Sequence, residues 1–224
     1  MKTLRQSPLH DSLERLRPEW GVVNSMATAL RFADVTGSAV ELADLSPLQR
    51  TGLKGPRAAD WLRARGVQVP ERPNAWSSLA ADGLIARLAR SEFLIEDGAC
   101  GGAVSALEDA LCDSAAGVYP VLRQDAALFL RGAAVHDLFA QTCSIDFKSI
   151  PPRERTVTLT MMIGVAVTVV DTSLDDKPCY RIWCDGTYGA YLWDALLEIA
   201  TELGGGAVGL PAVIPDAPIA TLPQ

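Results

Sequence analysis

Two histidines, five cysteines and one dense run of aromatic residues hold most of the reactive chemistry in this sequence. His10 lies near the start of the chain. His136 follows a glycine in a helical stretch beside Asp137, a setting that suits a satisfied or solvent-facing helix histidine better than a general base. The cysteines (Cys100, Cys112, Cys143, Cys179 and Cys184) form no Cys-x-x-Cys pair. Cys179 and Cys184 are five apart, so on one strand they point to opposite faces, away from a shared metal. There is no Gly-x-Ser-x-Gly elbow, no Walker-type phosphate loop and no dinucleotide-binding glycine fingerprint. The glycine-rich stretch 204–209 follows a helical pattern instead of opening one, so it offers no helix N-terminal amides to a pyrophosphate. Clustered His and carboxylate ligands are missing too, which disfavours a metal-dependent hydrolase.

The richest constellation runs from Tyr180 to Asp194, with three tyrosines and two tryptophans spread over a strand, an Asp185-Gly186 turn and a helix start. Aromatics gathered at a strand end can stack on a planar heterocycle, anchor a partner protein or fill a core corner. Asp185 or Thr187 is placed to cap the helix that follows. The charges expected to flank this corner are Arg123, Asp125, Arg153 and Arg155. The resulting candidates for a partner or ligand surface are Arg123, Arg153, Arg155, Trp183, Asp185, Tyr188 and Tyr191. No residue is assigned a catalytic or metal-binding role.

These residues must be positioned by regular elements, and the pattern of those elements repeats. Residues 53–62 (Leu-Lys-Gly-Pro-Arg-Ala-Ala-Asp-Trp-Leu) align with residues 130–139 (Leu-Arg-Gly-Ala-Ala-Val-His-Asp-Leu-Phe). A basic residue, a glycine and an aspartate fall in register, as do Ala58, Trp61 and Leu62 against Val135, Leu138 and Phe139. That i, i+3, i+4 spacing lays one helix face on a core. In each copy a short apolar strand runs into the glycine, which permits a sharp turn because it lacks a Cβ.

Leu84–Leu88 and Glu92–Glu96 then read as a hairpin, followed by a helix through Val104, Leu107 and Leu111. In the second copy Gly164–Val170 and Cys179–Cys184 read as a hairpin with a looser turn through 171–178. The helix that follows carries Leu192, Ala195, Leu196, Ile199 and Leu203 and stops at Gly204-Gly205-Gly206. The predicted fold class is α+β, two strand–helix–strand–strand–helix units packed together so that each covers the sheet face the other leaves bare.

The expected organisation is an arm over 1–41, a duplicated core over 42–204 (halves 42–116 and 117–204) and an extended proline-rich tail over 205–224. In the arm, Leu9, Leu13 and Leu16 mark a short helix ended by Pro18, and extended pieces break at Asn24-Ser25 and Gly37-Ser38. The tail either frays or lies along a neighbouring surface. The uncharged run Thr156–Val170 is too short to span a bilayer and reads as buried strand.

The 224 residues carry a formal charge of −7 and a pI near 4.9, which argues against nucleic acid or an anionic membrane as partner. Small basic groups such as Arg63 with Arg65 are mixed with acidic residues and read as solvated faces. Without a signal-peptide pattern, and with free thiols, the chain is expected to be cytoplasmic.

Five segments add a resemblance. Asp44-Leu45-Ser46-Pro47-Leu48, Gly52-Leu53-Lys54-Gly55-Pro56, Arg90-Ser91-Glu92-Phe93-Leu94-Ile95, Gln141-Thr142-Cys143-Ser144-Ile145-Asp146 and Trp183-Cys184-Asp185-Gly186-Thr187-Tyr188, in that order, resemble the sarcosine oxidase gamma subunit family. The small subunit of N-methylglutamate dehydrogenase is especially similar. The resemblance spans roughly residues 40 to 204 and implies a fold like the folate-binding domain of the glycine-cleavage aminomethyltransferase. It further implies a non-catalytic subunit of a heteromeric flavoenzyme that oxidises an N-methyl amino acid and passes the one-carbon unit to tetrahydrofolate. FAD, FMN, NAD and tetrahydrofolate are then expected in larger flavoprotein partners, and no cofactor is expected on this chain alone. The Lys-Gly-Cys-Tyr-x-Gly-Gln-Glu signature of stand-alone folate-binding relatives is absent, so the resemblance does not carry folate binding over. The alternative reading is a stand-alone folate-binding protein of one-carbon transfer or regulation.

Overall fold

The computed structural model describes residues 4–33, 37–98, 100–111, 116–173 and 177–221. Cys112 and residues 174–176 of the expected looser turn lie outside them. The chain groups into a larger unit (1–47, 124–153 and 158–224) and a smaller one (48–123 and 154–157).

The larger unit opens with helix α1 (His10–Arg15) and a hairpin of β1 (Glu19–Val23) and β2 (Met26–Arg31). Asn24 and Ser25 turn the hairpin at φ 49° and 62°. This is the left-handed pair whose twist matches the flanking strands. Strand β3 (Glu41–Asp44) leads out of this unit.

The smaller unit then runs β4 (Arg50–Lys54), α2 (Ala58–Arg63), β5 (Ala75–Ser78), β6 (Leu84–Ala89), β7 (Glu92–Glu96), α3 (Ala103–Leu111) and β8 (Tyr119–Val121). Its sheet order is β5-β6-β7-β4-β8, antiparallel throughout. Alternation along the strands sends Leu53, Ile85, Phe93 and Ile95 to one face, where they pack with Ala58 and Leu62 of α2 and with Val104 and Leu107 of α3.

Returning to the larger unit, the chain forms β9 (Ala126–Arg131), α4 (Val135–Thr142), β10 (Val157–Met162), β11 (Val165–Asp171), β12 (Cys179–Cys184), α5 (Gly189–Glu202), β13 (Gly206–Ala207) and α6 (Leu210–Val213). The sheet order is β10-β11-β12-β9-β3-β13. Leu128, Leu130, Val167, Tyr180 and Ile182 meet Leu138 and Phe139 of α4 and Leu192, Trp193 and Leu196 of α5 in one core. Helix α5 ends as expected: Gly204 turns left-handed at φ 82° and the Gly205 amide reaches back to the Ala200 carbonyl at 2.7 Å, a Schellman stop.

The expected duplication is present and extends to backbone detail. Gly55 and Gly132 sit at φ 130° and 136°, a region only glycine enters freely. A Cβ on either would stand 2.3 Å from a carbonyl of the approaching chain, that of Gly117 in one case and Ala39 in the other. Those same carbonyls accept the amides of Arg57 (3.1 Å) and Ala134 (2.9 Å), which begin α2 and α4. One feature was not expected. Strand β3 precedes the first copy in sequence but pairs with β9 of the second, while β8, which precedes the second copy, pairs with β4 of the first. The chain therefore crosses over before each copy begins.

Two local readings need correction. The run Thr156–Val170 is not one buried strand but two, β10 and β11, joined by Ile163 and Gly164 at φ 48° and 79°. As the edge strand of its sheet, β10 leaves Leu159 and Met161 more than half exposed. The stretch beyond α5 is extended at Gly206-Ala207, which pairs with β3, and at Ala220, which bridges to Val22. Between them it makes one helical turn, α6, burying Leu210.

Substituting Gly55 with alanine should cost at least about 2 kcal/mol, because strain at that φ adds to a backbone clash. A Cβ on Gly102 meets nothing within 4 Å, so Gly102→Ala should stay within about 0.5 kcal/mol of the parent. Urea unfolding of both variants measures the difference.

Candidate functional site

The aromatic corner forms where β12 hands over to α5. Of the two expected caps, Asp185 takes the role, on the 3-10 turn ahead of α5: its Oδ1 accepts the Thr187 amide at 2.8 Å and the Thr187 hydroxyl at 2.6 Å. These bonds hold its carboxyl below the ordinary range and shape the single 3-10 turn Gly186–Tyr188 that starts α5. Gly186 and Gly189 allow this turn to sit close to its neighbours. A Cβ would come within 2.7 Å of the Gln124 carbonyl at the first and of the Ala126 side chain at the second.

Of the candidate surface residues, Tyr188 and Tyr191 emerge here, 57% and 54% exposed. The Tyr191 hydroxyl donates to the Ile163 carbonyl at 3.3 Å, which ties the helix start to the β10–β11 turn. Trp183 is different. At 2% exposure it is an interior side chain, as one of the sequence alternatives allowed; alternation places it on the sheet face opposite Tyr180, Ile182 and Cys184, paired with Ala127. Trp193 and Tyr180 are likewise buried.

The arginines sit on separate elements. Arg153 is exposed in the 3-10 turn Pro152–Glu154 of the chain. Arg123 and Arg155 belong to the smaller unit. Arg123 reaches Glu92 at 3.4 Å across the space that Gly52 leaves by having no side chain. Arg155 lies 5.1 Å from the Trp76 ring centroid. The structure brings Asp185, Tyr188 and Tyr191 together at one helix start; Arg123, Arg153 and Arg155 lie on other segments of the chain.

Burial favours the uncharged forms of four groups in the larger unit, His136, Tyr180, Cys179 and Cys184. The His136 Nε2 and the Tyr180 hydroxyl are 2.8 Å apart. Desolvation, with help from Lys148, lowers the His136 pKa against upward pulls from Asp171, Asp137 and Asp146. Desolvation also raises Tyr180, with Asp171 adding to it, and pushes the Cys184 thiol up to about 12. Cys179 moves the same way. A raised thiol pKa leaves little thiolate, the opposite of nucleophile activation.

In the smaller unit, desolvation raises the Asp97 carboxyl even though it caps α3 through the Val104 amide at 3.1 Å. Beside it, Arg50 and Glu96 form an ion pair through Nε and Nη2 at 3.0 and 2.9 Å, with side chains 5% and 0% exposed. The repeat places Ala127 and Trp183 at the matching positions, a pairing of small and large apolar groups.

Sequence reasoning passed over a hollow of about 280 Å³ beside α2, lined by Arg57, Trp61, Arg65 and Val118 among others. Its signal was legible in the repeat, where the second copy has Ala134, Leu138 and Thr142 at the positions of Arg57, Trp61 and Arg65. That volume stands at the lower end of the roughly 300–1,000 Å³ typical of small-molecule sites. Among the described residues no group of three or more His, Cys, Asp or Glu side chains could hold a metal, and no helix is long and apolar enough to cross a membrane.

No protein-family model matches the chain, and no curated protein matches it in sequence. Solved structures do match, and they define the class of fold: duplicated α+β units like those of the aminomethyltransferase folate-binding domain. The glycine cleavage system aminomethyltransferase T from Bartonella henselae superposes with a TM-score of 0.69 at 16% identity, over 93% of this chain and 60% of that one. The chain thus spans about 60% of that relative's length. A chain of the heterotetrameric sarcosine oxidase from Corynebacterium sp. U-96, in complex with pyrrole 2-carboxylate, superposes with a TM-score of 0.65 at 19% identity, over 91% of this chain and 98% of that one.

Two outcomes follow. Trp183→Ala should cost about 3–5 kcal/mol in urea unfolding, whereas Tyr188→Ala should stay within about 0.5 kcal/mol. The second concerns His136. Its folded pKa lies below the unfolded value of about 6.5, so the unfolded chain binds more protons between the two values. The stability linked to this group is therefore complete above about pH 6.5 and declines as pH falls through the folded pKa. His136→Gln should remove that component, read as the difference between parent and variant unfolding midpoints at pH 7.5 and pH 5.5.

Proposed function

We propose that this chain is a non-catalytic structural subunit of a heteromeric flavin-dependent oxidoreductase acting on the CH–NH group of N-methyl amino acids. The complex would be sarcosine oxidase-like or N-methylglutamate dehydrogenase-like and feed one-carbon units to tetrahydrofolate. The observation that carries the reading is the near end-to-end superposition on a chain of heterotetrameric sarcosine oxidase, 98% of that chain and 91% of this one. The order of five sequence segments resembling the gamma subunit family supports it independently. In this reading FAD, FMN, NAD and tetrahydrofolate belong to larger flavoprotein partners, and the chain braces them. Tyr188, Tyr191, Leu159 and Met161 offer exposed apolar surface for the contact, with Asp185 and Arg153 on the same unit. Arg123 and Arg155 are candidates on the other.

Expressed together with the products of its neighbouring genes, the chain should co-purify in a fixed ratio with flavin-bearing subunits, read by light scattering and visible absorbance. Clean monomeric behaviour beside those products would overturn the proposal.

The likeness to an aminomethyltransferase favours a second reading, a stand-alone folate-binding protein of one-carbon transfer or regulation. Saturable quenching of the tryptophan fluorescence of the isolated chain by tetrahydrofolate would promote it, and an unchanged spectrum would sink it.

A further inference from the structure

The hollow beside α2 has a composition that the fold does not require. Arg57 at the N-cap of α2, Trp61 within it and Arg65 just past its C-cap all line the hollow. In the second copy the matching Leu138 is fully buried and Thr142 is 6% exposed. In the first copy these positions instead present two guanidinium groups and an indole around an open space of about 280 Å³.

Arg57 is placed through its backbone and Arg65 through its guanidinium group. The Arg57 amide is anchored on the Gly117 carbonyl at 3.1 Å. Its side chain lies over Gly117, where an added Cβ would stand 3.2 and 3.3 Å from Arg57 Cγ and Cδ. The Arg65 guanidinium stacks 3.7 Å from the Trp61 ring centroid, and its Nη1 donates to the Trp61 carbonyl at 3.2 Å. The one carboxylate on the rim, Asp60, is already engaged by Arg63 at 2.9 Å. Among the described residues no carboxylate forms an ion pair with Arg57 or Arg65. The rest of the lining is carbon, the buried Val118 with the exposed Ala64 and Ala116.

We propose that this hollow is a binding site for a small organic carboxylate with an apolar body. The planar guanidinium fork matches a carboxylate in geometry and charge, and the ligand's hydrocarbon would cover Val118 and the open part of the indole. A bare inorganic anion would use only the rim and leave the apolar lining wet. The site lies wholly within the smaller unit and does not depend on the proposed assembly.

The test is a titration of the full chain with pentanoate, pentanamide and inorganic phosphate at constant ionic strength, following the indole N–H resonance of Trp61, assigned with Trp61→Phe. Pentanoate should shift that resonance saturably, pentanamide should not, and phosphate should act more weakly than pentanoate. Arg57→Gln and Arg65→Gln should each weaken pentanoate binding by about tenfold, the loss of one charge-assisted contact, with the other indole resonances unmoved as evidence of folding. Arg90→Gln, an exposed arginine elsewhere on the unit, should bind like the parent. No saturable shift, an equal response to pentanamide or phosphate, or undiminished binding in both arginine variants would overturn the proposal.

Discussion

Each half of this protein is organised by the close approach of a carbonyl to a glycine that has no side chain to repel it. At Gly55 and Gly132 the backbone turns through a region closed to other residues. The space where a Cβ would be is occupied by the carbonyl of Gly117 or Ala39. That carbonyl then takes the first amide of the next helix, a donor that would otherwise go unpaired. One contact thus fixes the end of a strand, its distance from the incoming chain and the direction of the helix. Because the incoming chain leads into β8 in one unit and β3 in the other, the same contact decides which strand completes which sheet.

Within that common frame the two copies have diverged in their side chains. The first buries an Arg50–Glu96 ion pair where the second packs Ala127 against Trp183. Burying charges carries a desolvation cost that good geometry only offsets, so the backbone frame does not demand the ion pair. The same contrast recurs at the helices, where α4 is committed to the core, while Trp61 of α2 and the flanking Arg57 and Arg65 surround open space. The α2 hollow and the buried pair are therefore the places where the first copy departs from what packing alone requires.

The larger unit shows the other outcome. Desolvation dominates the titration of His136, Tyr180, Cys179 and Cys184, and in each case it favours the uncharged form. These groups behave as parts of a packed interior, with the His136–Tyr180 contact satisfying two polar atoms that folding removes from water. Outward from this interior, Tyr188, Tyr191, Leu159 and Met161 leave apolar surface at the α5 start and along the β10 edge.

Local features were legible in the sequence because short-range physics decides them. The glycine-to-helix turns, the hairpins, the Asp185 cap and the Gly204 stop each follow from spacing or dihedral preference within a few residues. The repeat was legible because its two copies keep a basic residue, a glycine and an aspartate in register. The exchange of β3 and β8 was not, since alternation along a strand says which face is buried but not which distant strand will supply the hydrogen bonds. The turn inside Thr156–Val170 was hidden because Ile163 adopts a left-handed conformation unusual for a β-branched residue. It is held there by a hydrogen bond that its N–H donates to the Thr142 carbonyl at 2.8 Å, from a part of the chain outside the run. Whether Trp183 faced a partner or the interior, and whether α2 opened a hollow, likewise depended on what the rest of the chain laid against them. The sequence by itself determined the repeated units and their local turns; the tertiary structure decided strand exchange, burial and the hollow, because those rest on contacts between residues far apart in the chain.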